Sequence, residues 1–384
     1  MIVTILPPFS WALFSKQLAK HRPVFPLDQA RIRLYYRASN AIWNAVKLLS
    51  LSPGDTILFP AYHCGLELDA ILKAGARVNF YPVNRDTTID PEVIRAGITE
   101  KTKAVYVIHY FGFSLDMAPI VEICRQSGLL LIEDCTHALY SRSNGHPIGI
   151  NGDLSIFSMW KTVPIPFGGA LLVNSKTLSL PDESVRPDHD ETLRVMMRLL
   201  AKRLMRVWVI DRVIRKAKIH SMAWVVRVLQ RDPVDLLDFC LERGAWGIPP
   251  ISRRMLFGVD EQEIIQLRRR HFQTLLDVVC RATHLRPLFE SLPDGVCPLL
   301  FPVLVDDSRR FSHYMQSQGV NTRLWERHHP QFPSEEHADA TFLKSHVVAL
   351  PVHQCLRRSD IELMCKSLLA WEREENARGQ RNAA

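Results

Sequence analysis

The chain has 384 residues, 47% of them hydrophobic and 23% charged, a balance that excludes a disordered or fibrous chain and leaves room for two domains of unequal size. A formal charge of +8 favours anionic partners, yet no zinc finger, basic zipper or RNA-binding signature accompanies it, so nucleic acid is set aside. The eight cysteines form no CxxC pair and the fifteen histidines no ligand spacing, so neither a metal site nor a disulfide framework is expected. The N-terminal MIVTILPPFSWALF lacks a basic n-region and a cleavage site. With no stretch of spanning length, a cytoplasmic protein is expected.

In chain order, Asn40–Leu51 reads as a helix ending before the Pro53-Gly54-Asp55 turn. Thr56–Phe59 reads as a strand, Gly65–Ala74 as a helix and Arg77–Val83 as a strand. Pro91–Gly97 is a short helix opened by Asp90-Pro91, followed by strand Lys103–Phe111, helix Asp116–Ser127 and the apolar strand Leu129–Glu133. Apolar runs between amphipathic helices are what a parallel sheet covered on both faces requires, giving a three-layer α/β fold. Leu154–Met159 and Ala170–Val173 follow without a helix between them, which predicts an antiparallel element near the sheet edge.

Between Glu191 and Leu229 basic residues alternate with Val, Leu, Met, Ile and Trp at helical spacing. Arg269–Leu285 is a further helix. A small α/β domain then follows from about Pro287: strand Leu299–Val305, helix Ser308–Gly319, strand Val347–Leu350 and helix Ser359–Trp371. The division expected is therefore 1–286, with a basic helical insertion at about 180–240, and 287–384. The tail Glu372–Ala384 is expected to fray.

Three features carry chemistry. Strand Leu129-Leu130-Leu131-Ile132 runs into Glu133-Asp134, and ligands of open α/β sheets bind beyond the carboxyl ends of the strands. Asp134 is thus placed to hold a cationic ring nitrogen, although a turn aspartate is the plainer alternative. Phe157-Ser158-Met159-Trp160-Lys161 puts a lysine at the mouth of an apolar strand, where partial desolvation favours the neutral amine that Schiff-base chemistry uses. Ser158 could give its hydroxyl to a phosphate, and the pair Gly168-Gly169 lets backbone pass close to a ligand. A surface lysine beside a proline-rich loop is the competing reading. Last, Arg37-Ala38-Ser39-Asn40 opens a helix whose small residues leave first-turn amides for an anion, or form a simple cap.

In this order the motifs resemble the DegT/StrS-type sugar aminotransferases, fold-type I enzymes dependent on pyridoxal 5'-phosphate. Ala38-Ser39-Asn40-Ala41 stands at that family's phosphate cup. Leu51-Ser52-Pro53-Gly54-Asp55, Ile108-His109-Tyr110-Phe111-Gly112, Glu133-Asp134 with His137, and Gly152-Asp153 with Phe157-Ser158 and Lys161 follow in family order. The resemblance is dense over 37–175, thin over 245–384 and absent over about 176–240.

It implies a large cofactor domain with a mainly parallel sheet and a small C-terminal α/β domain. Lys161 would bond the cofactor and move the proton. Asp134 would pair with the ring nitrogen, and His137 would stand where a glutamine usually lies beside the phenolic oxygen. Ala38, Ser39, Asn40 and Ser158 would hold the phosphate. Cys64 replaces the family's ring-stacking aromatic, with Tyr62 or His63 as alternative covers. His109, Tyr110 and Arg254 are substrate-side candidates, Arg254-Met255 matching a pair near a phosphate contact from the neighbouring subunit of a homodimer. The implied reaction moves an amino group from an amino-acid donor, glutamate in most members, to a keto sugar, nucleotide-linked in the nearest members, in polysaccharide or secondary-metabolite biosynthesis. Another pyridoxal phosphate reaction, or a non-catalytic binding or regulatory role on the same fold, is the alternative. Residues 193–229 could meet an anionic membrane as a basic amphipathic helix; packing against the protein's own domain or dimer mate is favoured.

Overall fold

The computed structural model describes residues 3–8, 22–205, 239–326 and 329–383. Its larger sheet has seven strands: β1 (Ile32–Tyr35), β2 (Thr56–Pro60), β3 (Arg77–Tyr81), β4 (Thr102–Ile108), β5 (Leu130–Asp134), β6 (Leu154–Ser158) and β7 (Gly169–Val173). Their order is β1-β7-β6-β5-β4-β2-β3. The five strands from β6 to β3 run parallel, while β7 is antiparallel to both β6 and β1. The antiparallel element expected after Leu154 is thus β7, and the strand it pairs with at the edge, β1, is one the sequence pattern does not reveal.

Helices α1 (Ala38–Leu48), α2 (Leu66–Lys73), α3 (Pro91–Gly97) and α4 (Met117–Ser127) make the crossovers. Asp90 and Asp116 cap α3 and α4 by accepting from the amides of Glu92 and Ala118. Every residue of β2 and β6 is buried, as a sheet covered on both faces demands. Each such apolar side chain contributes about 2 kcal/mol of transfer free energy.

α5 (Met159–Thr162) follows β6 directly, and α6 (His189–Met205) begins the basic segment. Positions 206–238 of that segment lie outside the described residues, so the amphipathic pattern expected to Leu229 is seen only in α6.

After α7 (Pro250–Leu256) and α8 (Glu261–Val279) come β8 (Leu300–Leu304), α9 (Ser308–Ser317), α10 (Ala338–His346), β9 (Val347–Pro351) and α11 (Arg358–Ala383). β8 pairs antiparallel with β9 and with Arg286–Pro287. A second core gathers Phe301, Val303, Phe311, Met315 and Leu368 with Phe272, Leu275 and Val279 of α8. The chain therefore enters the second core on α8, ahead of residue 287. α8 also starts eight residues before the expected Arg269, because Asp260 caps it on the Glu263 amide. The tail does not fray as expected: α11 continues to Ala383. It is tied down by Glu372, which accepts from the amides of Thr283 and His284, and by the bidentate Arg310–Glu375 pair.

Candidate active site

The carboxyl ends of β2, β4, β5 and β6 open onto one cleft with about 790 Å³ of empty space, part of it open to solvent. The register explains the convergence. Ile108 pairs with Asp134 and Asp134 with Ile156, so β4, β5 and β6 end side by side and deliver Tyr110, Asp134 and Lys161 to one rim. The N-terminus of α1 forms the opposite wall, because β7 passes directly behind it. A Cβ on Gly169 would overlap the Arg37 carbonyl and the Ala38 nitrogen. This glycine therefore admits the helix start, where a close approach to a ligand was expected of the glycine pair.

Asp134, 2% exposed, is held from two sides. The Tyr106 hydroxyl donates to Oδ2 at 2.6 Å and the Thr136 amide to Oδ1 at 2.8 Å. Burial pushes its pKa up, while Lys161 and the two donors pull it back. Lys161 Nζ donates to Thr136 Oγ1 at 3.2 Å, so one threonine bridges acid and amine.

His137 stacks on Trp325, which follows α9, with centroids 5.4 Å apart and planes 9° apart. Burial, with Lys161 and Arg323 nearby, drives its pKa well below the ordinary imidazole range, so the ring is neutral. Its Nδ1 accepts from the Phe111 amide at 3.4 Å, which leaves the proton on Nε2.

Ser158 Oγ lines the cleft, fully buried and without a hydrogen-bond partner among the described residues. Beside it lie Ala38 and Ser39, whose first-turn amides have no carbonyl four residues back to bond. Arg37 lies over the Trp160 ring, 4.5 Å from its centroid, on the same wall. Such an orphaned buried hydroxyl next to a helix start is the chemistry of an anion cradle.

Cys64 also lines the cleft, with its thiol donating to Glu67 Oε2 at 2.8 Å. Burial and then Glu67 push the thiol up to about 12, so it stays protonated. Tyr62 packs on Tyr110 with centroids 5.1 Å apart, and the Tyr110 hydroxyl donates to the Tyr62 carbonyl.

Residues 36–181 match a model described as the DegT/DnrJ/EryC1/StrS aminotransferase family. Over this segment the chain is similar to that family. Over 141 residues the chain is 35% identical to GDP-perosamine synthase of Escherichia coli O157:H7, covering 36% of this chain and 39% of that protein. It is also 35% identical over 148 residues to the dTDP-4-dehydro-2,3,6-trideoxy-D-glucose 4-aminotransferase of Saccharopolyspora spinosa, covering 38% and 37%. The matches thus span about two fifths of these curated relatives. The aminotransferase TlmJ from Streptoalloteichus hindustanus superposes with a TM-score of 0.67 at 20% identity, over 96% of this chain and 98% of that one. The PLP-form of the putative sugar aminotransferase Spr1654 from Streptococcus pneumoniae gives 0.66 at 14%, over 97% and 99%. The fold is similar to that of these two structures over nearly the whole chain.

Ala38, Ser39, Cys64, Tyr110, Asp134, His137, Ser158 and Lys161 thus surround one cleft. Three other sequence candidates do not line it. Asn40 accepts the Arg37 amide with Oδ1 and gives Nδ2 to the carbonyls of Arg243 and Gly244, so it caps α1 and anchors a neighbouring loop. His109 is fully buried between the Leu115 amide and Glu133, donating from Nε2 across 3.0 Å. Arg254 sits exposed on α7. Among the described residues His109, Glu133 and Cys135 lie close enough to surround a cation. Glu133 is already committed to His109 and to the amides of Asn151 and Gly152.

Tyr106, Thr136, Trp160, Glu67 and Trp325 belong to the site and were not singled out from the sequence. Tyr106 carried a signal, since it stands two residues before the strand end that neighbours Asp134. Trp325 carried none.

Proposed function

We propose that the chain is a pyridoxal 5'-phosphate-dependent aminotransferase that transfers an amino group from an amino acid, glutamate in the first instance, to a keto sugar. The observation carrying this reading is the Lys161–Thr136–Asp134 chain of contacts, facing a buried hydroxyl and a helix start in the same cleft. When bound, the cofactor supplies an aldehyde for the lysine and a cationic ring that draws electrons from the reacting carbon.

The protein's own groups divide the work. Ser158 Oγ and the Ala38 and Ser39 amides hold the phosphate, and Arg37 adds positive charge to that wall. The Asp134 carboxylate, oriented by Tyr106 and Thr136, would accept from the ring nitrogen and keep it protonated. His137 would offer its Nε2–H to an oxygen on the ring, as an amide side chain would. Lys161 Nζ would take the proton from the amino donor's α-carbon and hand it, on the same face, to the carbon that carried the cofactor's aldehyde. Tyr62, Tyr110 and Trp325 form an apolar wall that excludes water from that step.

A nucleotide-linked keto sugar as acceptor is supported by the names of the relatives and by the basic charge of the chain. A cytoplasmic location fits cysteines that form no CxxC pair, and a homodimer is what the family resemblance implies.

Purified protein supplied with the cofactor is expected to show a visible lysine-linked absorbance that glutamate discharges, and Lys161→Ala is expected to lack it. A colourless wild type in excess cofactor would sink the reading. A band that glutamate leaves unchanged would favour a non-exchanging role instead.

A further inference from the structure

Lys161 stands on α5, a single turn with one closing bond, from the Val163 amide to the Met159 carbonyl at 2.7 Å. The last carbonyls of so short a helix have no partners of their own, and the aim of Lys161 depends on what satisfies them. Those partners come from the second domain and from the helix leading into it. Arg268 of α8, 1% exposed, gives Nη2 to the carbonyls of Thr162 at 3.2 Å and Lys161 at 3.5 Å. Its Nη1 reaches the carbonyls of Pro298 and Leu299, both at 3.0 Å, just where β8 begins. Its Nε donates to Gln354 Oε1 at 3.1 Å, and Gln354 Nε2 turns back to the Thr162 carbonyl at 2.9 Å.

No carboxylate is bonded to this guanidinium among the described residues; backbone carbonyls and one amide oxygen carry the whole shell. Burying a cation that way is expensive. A planar fork of five fixed donors is the side chain that can reach three separate segments at once.

We infer that Arg268 is a positioning residue: it clamps the Lys161-bearing turn to the start of β8 and to Gln354, so that the seat of the second domain sets the direction of the Lys161 amine. The inference rests on the aminotransferase reading and adds to it a device outside the cleft. A merely structural arginine would weaken the fold or the whole site. A positioning one weakens bond formation at Lys161 and spares the cradle that binds the cofactor without it.

The test measures how much Lys161 becomes bonded to pyridoxal phosphate. The ε-amine condenses with the aldehyde and releases one water. Borohydride then delivers a hydride to the new carbon–nitrogen bond, and peptide mass spectrometry counts the product. Arg268→Lys and the milder Gln354→Ala are compared with wild type at limiting cofactor, each first checked for a cooperative thermal transition. The trapped fraction is expected to fall about tenfold in Arg268→Lys and less in Gln354→Ala, while adding Arg268→Lys to Lys161→Ala changes non-covalent cofactor affinity by under about twofold. Unchanged trapping in the folded variants overturns the inference, as does an equal loss of affinity in the Lys161→Ala background. Should Arg268→Lys fail to fold, Gln354→Ala decides by the same criteria. A wild type that cannot be trapped at Lys161 removes the aminotransferase reading itself, an outcome distinct from the other two.

Discussion

The Tyr106 hydroxyl donates to Asp134 Oδ2 across 2.6 Å at the end of two paired parallel strands. That bond favours the ionised carboxylate against its burial, which is the largest influence raising the Asp134 pKa.

Tyr106→Phe should therefore leave Asp134 protonated to a higher pH. On the aminotransferase reading cofactor affinity would depend on the ionised form, so its rise with pH should move in the alkaline direction, with a loss of about tenfold at neutrality. Titrating affinity against pH checks this, and an unshifted profile would refute the role given to Tyr106. The linkage to folding has the opposite sense. A carboxyl whose native pKa is raised stabilises the fold below its unfolded pKa, and that contribution is lost as pH climbs through the native value. Denaturant unfolding of the cofactor-free Asp134→Asn variant should lack this decline.

His137 gives a second pH signature. Its native pKa is depressed, chiefly by burial, so the neutral ring's contribution to stability is complete above the unfolded value of about 6.5 and fades as pH falls below it. His137→Gln keeps a donor and removes the titration. Urea midpoints of the variant should differ less between about pH 5 and pH 7.5 than those of the wild type, with turnover kept within about tenfold. Equal midpoint differences in the two proteins would contradict the neutral buried ring.

Gly169→Ala should be among the most damaging single-methyl additions in the chain. Its Cβ would overlap main-chain atoms of Arg37 and Ala38, which cannot rotate away, at a cost of about 3 kcal/mol. The displaced helix start should also cost phosphate affinity, read by titrating inorganic phosphate or the cofactor. Gly379 in α11 has nothing within 4 Å of such a methyl, and Gly379→Ala should instead gain up to about 1 kcal/mol. Similar thermal shifts for both would mean that the close passage of β7 has been misjudged.

The sequence could be read furthest where local signals and tertiary demands agree. Pro91–Gly97 and Asp116–Ser127 carry their own caps, and the apolar run before Asp134 has nowhere to go but a covered sheet. β1 was hidden because Ile32–Leu34 is only half-buried and becomes a strand by pairing with β7. Asn40 looked like a phosphate ligand because a cap and a cradle ask for the same small polar residues; the carbonyls of Arg243 and Gly244, two hundred positions away, decided between them. A histidine beside apolar strands is more often structural than functional, and His109 is such a residue: neighbouring residues at a strand end face opposite ways, and only Tyr110 turns to the cleft. Trp325 and Arg268 reach the site through the packing of the second domain, which no local pattern encodes.

The cleft is assembled from two kinds of support. Acid and amine follow adjoining strands of one hydrogen-bonded ladder, whereas the aromatic wall is contributed by Tyr62 beyond β2 and Trp325 from the distant domain. On the aminotransferase reading, replacements in that wall would reshape the cleft while Lys161, Thr136 and Asp134 keep their places at the strand ends. A scaffold divided in this way separates the groups given the chemistry from the groups given the shape of the cleft, and directed libraries at Tyr62 and Trp325 would test that separation.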